Sequence, residues 1–144
     1  MSNGGFLISQ VKQLSDRTFE RILKAKGVDE FNGAQGRILY ILWNNNNISI
    51  KQISKFTKLA KTTLTAMLER MEMQGLIKRT VSQEDKREII VSLTDKAKTL
   101  QTDFLDVTRQ MEEIFYKNFT EKQIENFENT LKKIIENLEK GNGR

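Results

Sequence analysis

The chain contains no cysteine, no histidine and no proline. Without thiols there is no disulfide and no cysteine-based redox switch, and without either Cys or His there is no Cys/His zinc site. Ser-His-Asp and Cys-His nucleophilic constellations are excluded on the same ground. The lack of proline leaves long helices uninterrupted. No apolar run approaches membrane-spanning length, and the N-terminus has no basic-then-apolar leader, so a cytoplasmic protein without a membrane partner is expected. No Gly-rich phosphate loop, carboxylate pair or metal-spaced cluster stands out, which leaves no catalytic residue, metal ligand or cofactor to nominate.

What is present is a chain of 144 residues, 38% hydrophobic and 30% charged. That balance suits a soluble, helix-rich protein, either one domain with a core or a small domain with dimerisation helices. The net charge of +5 is unevenly spread. Residues 1–47 carry 6 cations and 4 anions, residues 48–94 carry 9 and 5, and residues 95–144 carry 9 and 10. The positive excess sits in the middle third, as a phosphate-facing surface requires.

That middle third, Ile48 to Thr94, organises the chain. Ser49 is a candidate N-cap for a helix over Ile50 to Thr57, with Ile50, Ile53 and Phe56 on one side. A second helix begins near Ala60 or Lys61, and its buried stripe is Leu64, Met67, Leu68 and Met71. The opposite face then holds Thr62, Thr65, Ala66 and Glu69, flanked by Lys61, Thr63 and Arg70. Small, polar and cationic side chains in the first turns are what a helix needs to enter a major groove. Gly75 suits a left-handed stop after it. Ile77–Val81 and Arg87–Leu93 read as two strands, with Ile89, Val91 and Leu93 on one side. Ser82 to Lys86 forms the tip of this two-stranded ribbon. An Arg on the tip can reach a narrow minor groove, and Asp85 lies close enough to Arg87 to hold its guanidinium in a bidentate pair.

The run Asp85-Lys86-Arg87, followed by a strand ending Val91-Ser92-Leu93-Thr94, resembles the wing of the MarR family of bacterial transcriptional regulators. Met67 to Met71 and Gln74 to Ile77 resemble that family's exit from recognition helix to wing. The resemblance implies a mainly α fold with a small β-wing, a winged helix-turn-helix. It also implies N- and C-terminal dimerisation helices, a wing Arg (Arg87) in the minor groove and a wing Asp (Asp85) that orients it. Repression relieved by a small aromatic or anionic effector is a further implication of the family, although no residue of this sequence identifies such a molecule. Members that sense peroxide through cysteine cannot be the pattern here.

Around the winged segment, Met1 to Gly5 reads as a mobile tail. A helix is expected over Phe6 to Lys26, stopped by Gly27, with Leu7, Val11, Leu14, Thr18 and Ile22 near heptad spacing. Its stripe fits either a core or a partner. Asn32 caps a helix over Gly33 to Trp43, in which Trp43 belongs in or near the core and Arg37 either braces the domain or meets phosphate. Asn44 to Asn47 reads as a loop. Thr94 caps a helix over Asp95 to Asn118 carrying Leu100, Phe104, Val107, Met111, Ile114 and Phe115. Thr120 with Gln123 makes a capping box for a last helix with Ile124, Phe127, Leu131, Ile134 and Leu138. Two consecutive heptad seams exceed what a small winged unit can cover, which favours a homodimer over an intramolecular hairpin. The organisation expected is therefore 1–30 as a dimerising helix, 31–94 as the DNA-binding unit and 95–144 as dimerisation helices.

The function expected is a dimeric, sequence-specific regulator, not an enzyme, that binds double-stranded DNA at a pseudo-palindrome. Lys61, Thr62, Thr63, Thr65 and Arg70 are the major-groove candidates. Lys51, Lys78 and Arg79 are phosphate candidates, and Arg87, with Asp85 and Lys86, serves the minor groove. Leu7, Val11, Leu14, Ile114, Phe115, Ile124, Phe127, Leu131, Ile134 and Leu138 are the dimerisation candidates. A winged protein–protein module is the rival reading, and the Lys/Thr-rich helix face speaks against it.

Overall fold

The computed structural model describes residues 1–142; the last two residues of the expected C-terminal segment lie outside the described residues. The elements follow in the order α1 (Gly4–Lys26), α2 (Gly33–Asn44), β1 (Ile48–Ser49), α3 (Ile50–Thr57), α4 (Lys61–Met73), β2 (Ile77–Val81), β3 (Ile89–Leu93), α5 (Asp95–Thr99), α6 (Gln101–Phe115) and α7 (Glu121–Gly141). They divide into two units, Met1–Met111 and Glu112–Arg144.

Local chemistry sets most of these boundaries. Asn32 and Ser49 both close capping boxes, with Gln35 and Gln52 returning the bond to the cap backbone, so two otherwise unpaired donors are satisfied at each helix start. Gly27 and Gly75 take φ of 79° and 77°, the left-handed geometry that a side chain resists. The expected tail is shorter than the sequence indicates, because α1 already begins at Gly4. The wing also departs from the two-stranded expectation. Ile48 and Ser49 add a third antiparallel strand, giving the order β1-β3-β2 with Ile48 opposite Val91 and Ile77 opposite Leu93. A two-residue strand has no room to show alternation. The Asn run serves this junction, since Asn46 Oδ1 accepts the Leu93 amide at 3.0 Å.

The core of the first unit joins Leu23, Ile38, Leu39 and Leu42 to Ile53, Leu64, Leu68, Met71, Leu76, Ile77 and Val91. Phe104 is its aromatic centre, with Phe19, Phe31, Tyr40 and Trp43 rings at 6.1, 5.9, 5.9 and 5.2 Å. Trp43 packs half-buried against this cluster and its Nε1 donates to the Ala97 carbonyl at 3.1 Å. The single helix expected over Asp95 to Asn118 is interrupted at Leu100 and ends at Phe115, before the left-handed Asn118 (φ 67°). Leu100, Phe104 and Val107 are buried in the first unit's own core. Half of that heptad seam is therefore internal rather than free for a partner. Phe56 departs in the other direction: it shares a helix side with Ile50 and Ile53 by spacing, yet is 59% exposed.

In the second unit, α7 starts from the expected capping box of Thr120 and Gln123 and buries none of its residues fully. Phe115, Tyr116, Phe119 and Phe127 form a small aromatic cluster with ring separations of 4.8 to 6.4 Å. Tyr116 donates to Glu128 at 2.8 Å. Burial, then the Glu128 carboxylate, pushes its phenol up to about 12.

Candidate nucleic-acid interface

The helix-turn-helix is built by α3, the turn Lys58–Ala60 and α4. Three bonds over-determine the turn: Lys58 N donates to Ser54 O at 2.8 Å, Ser54 Oγ to Leu59 O at 2.8 Å and Leu59 N to Thr57 Oγ1 at 3.2 Å. They hold Lys58 at φ 62°. The remaining left-handed positions carry Gly or Asn, residues that tolerate this region. The first turn of α4 receives no side-chain cap from Ala60, so its leading amides point outward at the positive end of the helix. Lys61, Thr62 and Thr63 are exposed there and Thr65 is half-buried. Lys51 is exposed on α3.

The wing tip is ordered by its own side chains. Arg87 Nε and Nη2 donate to Asp85 Oδ1 and Oδ2 at 2.9 and 3.0 Å, and the Arg87 amide also donates to Oδ1 at 3.0 Å. Ser82 Oγ accepts the Asp85 amide at 3.2 Å. The Arg87 side chain first, then its amide, holds the Asp85 carboxyl below its ordinary value. Lys86 beside them is exposed, as is Lys78 on β2.

Two nominated residues stand elsewhere. Arg79 is half-buried and paired with Glu72 of α4 through Nε and Nη2 at 3.2 and 2.9 Å, which removes it from the free phosphate contacts. Arg70 lies three turns into α4, on the rim of an open cleft of about 580 Å³ shared with Leu23 and Lys24 of α1, Val28, Phe31 and Gln35. It is exposed there, away from the first turn where Lys61 to Thr63 stand. Arg37 braces α2 against α1 through Asp16 at 3.1 Å. Lys55 and Lys58, both exposed, extend the cationic face of α3 beyond Lys51. Their spacing of four and three was the signal that could have included them.

Of the dimerisation candidates, Leu7, Val11 and Leu14 are exposed on α1, joined by exposed Phe6 and Ile8. Ile114, Ile134 and Leu138 are exposed, and Phe115, Ile124, Phe127 and Leu131 are half-buried. Phe115 and Phe127 meet each other at 6.4 Å, the intramolecular alternative in part. Among the described residues, no acidic cluster is able to hold a metal ion and no helix is long and apolar enough to cross a membrane.

Residues 31–89 match the model of the MarR family. The organic hydroperoxide resistance transcriptional regulator of Bacillus subtilis (strain 168) is 39% identical over 69 residues, 48% of this chain and 47% of that protein. The matched stretch thus spans about half the length of that curated relative. A mutant MarR from E. coli, solved in complex with operator DNA, superposes with a TM-score of 0.80 at 25% identity, covering 90% of this chain and 91% of that one. Reduced AbfR bound to DNA superposes with a TM-score of 0.71 at 31% identity, covering 90% of each chain.

Proposed function

This chain belongs to the MarR family, and from that premise we propose that it is a dimeric, sequence-specific, DNA-binding transcriptional regulator of the cytoplasm. The observation that carries the reading is the wing tip, where Asp85 aims an exposed arginine outward beside a helix whose first turn offers cations, hydroxyls and unpaired amides. Lys61, Thr62, Thr63 and Thr65 read base edges, Lys51, Lys55, Lys58 and Lys78 meet phosphates, and Arg87 enters the adjacent minor groove. Two such units about a two-fold axis address major grooves roughly 34 Å apart, hence a pseudo-palindromic operator. The exposed stripes of α1 and α7 supply the dimer contact. The regulator acts as a repressor released by a small aromatic or anionic effector, as expected from the family.

The test is binding of the purified protein to the intergenic DNA upstream of its own gene, beside a scrambled duplex, across a salt series. The expected result is sequence-dependent binding by a dimer that weakens steeply with salt. Absence of binding to both duplexes at low salt would instead favour a winged protein–protein module. With the assay in hand, small aromatic carboxylates are added to look for release.

A further inference from the structure

We infer that the Glu72–Arg79 pair fixes the angle between recognition helix and wing, so that the protein reads the spacing between its major-groove bases and the flanking minor groove. This rests on the DNA-reading function proposed above. Glu72 lies in the last turn of α4 and Arg79 is the third residue of β2. Glu72 Oε1 accepts Arg79 Nε and Nη2 at 3.2 and 2.9 Å, while Oε2 accepts the Arg79 amide at 3.2 Å. Three bonds thus cross the corner between the two elements, with the side chains only 23% (Arg79) and 38% (Glu72) exposed.

The other side of the corner is fastened as well. Gly75 turns the chain, and Leu76 N returns to Met71 O at 3.0 Å. Thr94 Oγ1 donates to Gly75 O at 2.7 Å, Thr94 N to Leu76 O at 3.1 Å and Lys96 Nζ to Gln74 O at 3.1 Å. Leu76 and Ile77 are buried beneath it. Five β2–β3 pairs, Ile77↔Leu93 to Val81↔Ile89, then carry the corner's orientation outward towards Arg87.

The lever is long enough for the angle to matter. Arg87 lies four residues beyond Val91, the strand partner of Arg79, so the arm is roughly 13 Å and a tilt of about 15° at Arg79 displaces Arg87 by about 3.4 Å. One base-pair step is about 3.4 Å. Without the Glu72 bonds the corner is fastened on the Thr94 and Lys96 side alone, and the ribbon can pivot about that side so that Arg87 slides between adjacent steps. The clamp holds it to one, and Glu72 and Arg79 act as positioning residues with no contact to the bases.

The experiment uses the full chain and a duplex selected from a random pool by the wild-type protein, with its A·T-rich flank then moved one base pair in either direction. The wild type loses about tenfold in affinity on that shift, the scale of one mismatched pair. Glu72→Ala loses less than about threefold on the same shift, with unchanged discrimination at the major-groove positions and a folded melting transition. The double variant Glu72→Arg/Arg79→Glu recovers the spacing penalty. The inference is overturned if Glu72→Ala keeps the wild-type penalty, if major-groove discrimination falls with it, or if the wild type is indifferent to the shift. If the wild type selects no duplex at all, the DNA-reading function itself fails and the inference falls with it.

Discussion

Asp85 grips the Arg87 guanidinium with both carboxylate oxygens, at 2.9 and 3.0 Å, while the Arg87 side chain remains 89% exposed. An ion pair this open to solvent is screened and contributes little to folding. The arrangement therefore has little to do with stability. It removes rotamer freedom from a long side chain before any partner arrives, which lowers the ordering cost of binding.

Arg87→Ala is expected to weaken operator binding by about 1–3 kcal/mol, with melting unchanged. Asp85→Ala, which leaves the charge but frees the side chain, weakens it less. Fluorescence anisotropy on a labelled duplex measures both. Wild-type affinity for Arg87→Ala would take the wing out of the interface.

Lys58→Gly separates stability from binding. Glycine relieves a left-handed residue that costs about 1 kcal/mol, so the denaturant midpoint rises. Affinity falls about equally for all duplexes, and the slope of log K against log salt shrinks by about one. A rise in stability with an unaltered salt slope would show that Lys58 touches no phosphate.

Gly36→Ala probes the aromatic core. The added Cβ falls 2.8 Å from Phe104 Cε1 and 3.2 Å from Phe31 Cε2. Phe104 is enclosed by four other rings and cannot yield. Overpacking of about 1–3 kcal/mol outweighs the gain in helix propensity of about 1 kcal/mol. Calorimetry should show a lower Tm; an unchanged one would mean that the ring cluster can shift.

Asp106 gives the first unit an acid-sensitive tie. It accepts from Lys26 at 2.8 Å and Arg109 at 2.7 Å, and these bonds hold its carboxyl at about 2. A folded-state value below the ordinary one contributes stability that is full above about pH 4 and lost as the pH falls towards about 2. Urea unfolding of wild type and Asp106→Asn should therefore differ at about pH 5 and converge at about pH 2. A gap independent of pH would assign the effect to shape rather than charge.

Leu14→Glu tests the dimer. Leu14 is 59% exposed on the apolar stripe of α1 that also holds Leu7 and Val11. A buried charge at a subunit contact is disfavoured by several kcal/mol, so sedimentation should move from dimer to monomer. Operator affinity should fall with it. A dimer that persists in the Val11→Glu/Leu14→Glu double variant would place the contact elsewhere.

The sequence alone determined the features whose physics is local. Ser49, Asn32, Thr94 and Thr120 cap helices because a short polar side chain reaches an amide two or three residues on. Gly27 and Gly75 stop helices because only glycine adopts positive φ without strain. The pairing of Asp85 with Arg87 was legible for the same reason, both partners lying within two residues of each other. Only the tertiary structure decided where residues distant in the chain meet. It placed β1 against β3 and sent Phe104 into the ring cluster instead of to a partner. It also gave Arg79 to Glu72 and left Phe56 outside a core its spacing had suggested. Periodicity assigns a residue to a face, but what covers that face depends on the packing of other elements, whose contacts no window of sequence contains.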